Sequence, residues 1–167
     1  NIVSVVEDIS REDIAVIFEN AYSKTVDGDD GPGINPVRAN VDGTGRFLHV
    51  SEGVEVVYDI SATPMELDED ANLLVAGERL LSLTINGELI IADGEVVPGD
   101  PLSMVVVDFL ATGGDQTFDA HLSQEYDFTR LGITDQNAVA DYLESLSGGD
   151  PTFDIASDFR YDNTPDG

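Results

Sequence analysis

Ile2, Val3, Val5 and Val6 form an apolar segment closed by Glu7-Asp8, the pattern of a β-strand. Ser10 then stands where a helix N-cap belongs, with Asp13 three residues on, and Ile14, Ile17, Phe18, Ala21 and Tyr22 recur at i, i+3, i+4, i+7 and i+8. This spacing gathers the apolar side chains on one helical face and puts acids at the amino end, where the macrodipole favours them. Residues 24–45 are rich in Gly, Asp, Pro and Asn without apolar periodicity, so they read as a long surface loop. Val54, Val56 and Tyr58 alternate with Glu55, Val57 and Asp59, the period of a strand with one wetter face.

Residues 64–77 form an acidic, turn-rich connector, after which Leu81, Leu83 and Ile85 alternate with Ser82 and Thr84. Asn86-Gly87 follows, the strongest short hairpin signal, so Glu88 to Ile91 is the expected return strand and 93–101 a loop. Met104 to Val107 is a continuous apolar run of the kind found in a central strand buried on both faces. It leads through Phe109 and Leu110 to Gly113-Gly114 and Asp115. Thr134 caps a second helix with Asp135 in its first turn; Val139, Tyr142, Leu143 and Leu146 form its stripe and Gly148-Gly149 ends it. Phe153, Ile155, Phe159 and Tyr161 suit one edge strand in the tail. The expected class is α+β: a mixed β-sheet with two main amphipathic helices packed on it, in a single domain over 1–167 with its core in 1–146 and a tail or edge strand at 147–167.

A chain of 167 residues is long enough to bury roughly 70% of its unfolded surface. Seven basic against 34 acidic residues give a net charge of −27, which repels nucleic acid and anionic membranes and suits a saline medium. The absence of cysteine excludes disulfides, thiolate metal sites and cysteine nucleophiles. No apolar run approaches the ~18 residues of a membrane span, and the start at Asn1, without methionine and inside an expected strand, reads as a piece of something longer. Asp27, Asp29, Asp30 and Asp42 raise the possibility of a calcium loop, although EF-hand spacing is missing and a solvated acidic loop is the simpler reading. His49 and His121 lack spaced ligand partners, so neither is assigned a metal or acid-base role.

No nucleophile elbow, phosphate-cradling Gly-Lys-Ser/Thr loop or dinucleotide fingerprint occurs. The Phe109 to Asp115 stretch has two readings. Phe109 is a core residue followed by a simple Gly-Gly turn, or it is a ring at a strand's mouth beside a carboxylate, with Gly113 and Gly114 letting backbone approach a ligand closely.

The run Asp108-Phe109-Leu110-Ala111-Thr112-Gly113-Gly114-Asp115 resembles the signature near the end of the C-terminal domain of the 5'-nucleotidase family, an Asn-or-Asp-Phe-Leu-Ala-x-Gly-Gly-Asp motif. Gly45 to Gly53, with Tyr58-Asp59 after it, is similar to the family's Gly-x-Phe-Leu-Gln-Val-Ser-Gly block, which makes Phe47 an expected core residue. The order of hairpin, Pro-Asp loop, Val-rich strand and Gly-Gly-Asp matches as well, as does the strand-then-helix opening apart from Arg11, where the family usually has Gly. The resemblance implies a nucleotide-recognition domain in which Phe109 stacks on the base, Asp115 holds ribose hydroxyls, and Gly113 and Gly114 permit close approach. It implies no catalytic or metal-binding residue and no cofactor in this chain. The two divalent metals belong to an N-terminal metallophosphoesterase domain absent from it, which would be its partner besides the nucleoside or nucleotide substrate. Location would be secreted, periplasmic or at the cell surface. The alternative is a secreted acidic module that binds calcium or a partner surface and has no nucleotide role.

Overall fold

The computed structural model describes residues 1–23, 26–27, 37–38 and 48–147. It is an α+β protein in which every strand pairing among those residues is antiparallel. Strands β1 (Ile2–Ile9), β10 (Leu102–Val107) and β11 (Phe128–Thr134) form one sheet in the order β10-β1-β11. A second sheet has the order β4-β7-β8-β9, from β4 (Val54–Tyr58), β7 (Leu80–Ile85), β8 (Glu88–Ala92) and β9 (Glu95–Val96). Two short ladders pair β2 (Val26–Asp27) with β3 (Val37–Arg38) and β5 (Glu66–Leu67) with β6 (Leu73–Val75). Helices α1 (Arg11–Tyr22), α2 (Asp108–Ala111) and α3 (Asp135–Ser147), with a 3-10 turn at Gly114–Gln116, complete the order.

α1 forms where its spacing predicts. Ser10 Oγ accepts the Asp13 amide at 3.0 Å, and the whole stripe of Ile14, Ile17, Phe18, Ala21 and Tyr22 is buried. The stripe meets Val6 and Ile9 of β1 and Leu80, Leu83, Ile90 and Ile91 of β7 and β8, so the helix joins both larger sheets into one core. Tyr22 stacks on Tyr58 with centroids 4.1 Å apart, which explains why β4 alternates inward and outward. The Asn86-Gly87 hairpin is present, with φ of 51° and 82°. One turn later Asp93-Gly94 repeats the same left-handed pair, at 51° and 79°, and adds β9 inside the expected loop.

Two polar ties fix α1. At its start, the buried Arg11 donates to the carbonyls of Asp100 at 3.1 Å and Val97 at 3.3 Å and pairs with Glu88. Arg11 is therefore a clamp on the chain entering β10. Toward its end, the buried Glu19 accepts the amides of Arg79 at 2.9 Å and Leu80 at 2.7 Å. Arg79 in turn donates to the carbonyls of Ala62 at 3.1 Å and Tyr22 at 2.8 Å.

Three expectations change. β10 is an edge strand, not a central one buried on both faces: β1 is central, because β11, which the apolar pattern did not reveal, pairs along its other side. Val105 is accordingly 62% exposed. The sheet is divided into antiparallel sheets rather than one mixed sheet. Only α1 is packed as expected; α3 is capped by Thr134 Oγ1 at 3.1 Å from the Asn137 amide, but Val139 and Tyr142 of its stripe are 59% and 58% exposed. The expectations for Phe47, for a calcium site in the acidic loop and for the tail after Ser147 lie outside the described residues.

Candidate functional site

Beyond β10 the chain turns at once into α2, a single helical turn. Asp108 anchors it: one carboxylate oxygen accepts the Ile2 amide at 3.0 Å, and the other lies 3.9 Å from Arg130. Thr112 Oγ1 donates to the carbonyls of Asp108 at 2.9 Å and Phe109 at 3.2 Å, closing the turn. Phe109 is thereby held 50% exposed, and the reading in which it is a core residue fails.

The glycine pair has a defined role. Gly113 sits at φ 87°, a left-handed conformation open to glycine without penalty. At Gly114 a Cβ would fall 2.6 Å from Phe109 Cε1, so the space that residue leaves is filled by the Phe109 ring itself. The close approach expected toward a ligand is an approach to the proposed stacking residue. Asp115 and Gln116 follow in consecutive left-handed conformations, both at φ 54°. Each such non-glycine residue costs about 1–3 kcal/mol, and strained positions of this kind concentrate at functional sites. What holds them is the buried Asn20 of α1, whose Nδ2 donates to the Gln116 carbonyl at 2.9 Å, together with Gln116 Nε2, which donates to the Asp68 carbonyl at 2.9 Å. All four residues singled out in the sequence thus lie in one braced segment, Phe109 on α2 and Gly113, Gly114 and Asp115 in the turn that follows it.

Sequence reasoning missed a cleft beside this loop. It has a volume of ≈ 520 Å³ and is lined by Ala111, Phe118, Leu122, Tyr126 and Phe128, with Asp119 and Glu125 among its polar residues. Phe118 meets Phe128 edge to face at 4.9 Å and Tyr126 at 6.3 Å. Beneath it, the buried Asp13 accepts the Tyr126 hydroxyl at 2.5 Å, the Ser123 hydroxyl at 2.6 Å and the Ser123 amide at 2.9 Å.

Burial acts to raise the Asp13 pKa, but the bonds from Ser123, Tyr126 and Ser10 outweigh it and hold the carboxyl below its ordinary 3.8. A depressed carboxyl pKa contributes stability that is present above the unfolded-state value and lost as pH falls through the folded one. Asp13→Asn is therefore expected to be less stable than the parent at pH 7, with the gap narrowing below about pH 4; urea unfolding at several pH values checks this. A gap that stays constant to pH 2 would refute it.

His49 is exposed, His121 is half-buried, and no group of three or more His, Asp or Glu able to hold a metal occurs among the described residues. No helix among them is long and apolar enough to cross a membrane. Compared with family models, with curated proteins and with solved structures, the chain matches none.

Proposed function

We propose that this chain is the nucleotide-recognition domain of a 5'-nucleotidase-like phosphoesterase, with a fold like that family's C-terminal domain. The observation that carries the reading is the pairing of a half-exposed Phe109 with a strained, externally braced Asp115 six residues later, in the order the resemblance requires. The aromatic face supplies stacking for a base, and the carboxylate accepts ribose hydroxyls. Gly113 makes the turn between them, and Gly114 seats the ring.

Hydrolysis falls outside this chain: the two divalent metals and their ligands belong to the catalytic domain that would precede it, in a secreted, periplasmic or cell-surface parent. Stacking is worth about 1–3 kcal/mol per base, so one ring and one carboxylate hold a free nucleoside no better than roughly millimolar. Adenosine titrated into the labelled chain is expected to shift the amides of Gly113, Gly114 and Asp115, and Phe109→Ala is expected to remove the response. If those amides stay still while calcium raises the melting temperature, the chain is instead a cation-binding acidic module.

A further inference from the structure

We infer that the cleft lined by Phe118, Tyr126 and Phe128 binds a flat aromatic ring that carries a positively charged alkylammonium group. The inference is independent of the nucleoside reading, since Phe109 does not line the cleft.

Size is the first argument. At ≈ 520 Å³ the cleft lies within the ~300–1,000 Å³ range of small-molecule sites. Preorganisation is the second. The Phe118 ring is set nearly perpendicular to Phe128 and Tyr126, at 87° and 81°, and the Tyr126 hydroxyl is tied to Asp13, so the aromatic wall is fixed before a ligand arrives. Such rings favour a planar guest, and their negative faces favour a cationic one.

Charge is the third argument. Asp119 and Glu125 both border the cleft, and among the described residues no basic side chain lines it. Asp119 Oδ1 accepts the Ala120 amide at 2.9 Å, a bond that leaves the charge uncompensated, and Glu125 has no hydrogen bond or ion pair among the described residues. An anionic ligand would meet two carboxylates there in a protein already at −27. A cation meets two carboxylates in an aromatic lining.

Three probes that share the indole ring separate these contributions: tryptamine, 3-methylindole and indole-3-acetate, each titrated into the full chain with the aromatic resonances of Phe118, Tyr126 and Phe128 observed. Tryptamine is expected to shift all three and to bind about tenfold more tightly than 3-methylindole, with indole-3-acetate weaker still. Glu125→Gln should reduce the tryptamine affinity about threefold and leave 3-methylindole unchanged. Ala111→Phe, which adds a ring at a lining position, should abolish binding of both; Phe109→Ala should leave tryptamine binding intact while removing the adenosine response, so the two proposals fail separately. Equal binding of indole-3-acetate and tryptamine would overturn the inference. So would tryptamine shifts that ethylamine reproduces, or that Ala111→Phe leaves untouched in a chain with an unchanged melting temperature.

Discussion

Glu19→Ala is expected to lower the melting temperature by roughly 6–24 °C. The carboxylate accepts two successive backbone amides of the β7 entry, Arg79 and Leu80, from a buried position on α1. Hydrogen bonds to a charged group contribute about 1.5–3 kcal/mol each, so removing both acceptors costs about 3–6 kcal/mol and leaves two amides unpaired. For a chain of this length each kcal/mol moves the melting temperature by about 2–4 °C. Glu19→Gln keeps one good acceptor and should lose about half as much. Gly77→Ala supplies an independent check, because a Cβ at that position collides with the Glu19 carboxylate and must displace it. Thermal unfolding followed by circular dichroism reads all three. A Glu19→Ala shift below about 2 °C would mean that the tie between helix and sheet is dispensable.

Added salt is expected to have the second large effect. With 34 acidic residues against seven basic ones, the folded chain concentrates repulsion that the expanded chain relieves. Burial of Arg11 and Arg79 is matched by that of Asp13 and Glu19, so the acidic excess remains on the surface. The Debye length falls from about 10 Å at 0.1 M to about 3 Å at 1 M, and the melting temperature should rise by on the order of 10 °C over that range, equivalent to about 3–5 kcal/mol. Most of the gain should be complete by about 1 M, because screening saturates, whereas salt-strengthened burial continues to climb. A melting temperature flat between low and high sodium chloride would contradict this account of the surface.

The parts of the fold visible in the sequence are those whose local chemistry is self-sufficient. α1 carries its complete stripe within twelve residues and its cap, Ser10, immediately before them, and the β7–β8 hairpin carries Asn86-Gly87 at its tip. β11 carries no such signal. Its burial is confined to the ends at Phe128 and Thr134, and Gly132 at φ 77° interrupts it near the point where its register with β1 shifts, so neither alternation nor an apolar run marks it. Without a signal for β11 as a neighbour on the far side of β1, the Val-rich run of β10 reads as the central strand. Asp93-Gly94 offered the same signal as Asn86-Gly87, but the strand after it is only two residues long.

The candidate site divides along the same lines. Phe109, Gly113, Gly114 and Asp115 are contiguous and were legible as a motif, although the exposure of Phe109 depends on Asp108 binding the Ile2 amide and on the missing side chain of Gly114. The aromatic cleft was not legible. Phe118, Tyr126 and Phe128 converge from an irregular segment and a strand end, a juxtaposition made only when Asp13 of α1 gathers Ser123 and Tyr126.

The most direct test of the recognition reading is an intermolecular nuclear Overhauser measurement between the Phe109 ring protons and the H2 and H8 protons of adenosine at a concentration of about 10 mM, well into the expected binding range. Cross-peaks from the ring to the base, together with a shift of the Asp115 resonances, are the predicted result. Unmoved Phe109 and Asp115 signals with no base contact at that concentration would contradict it.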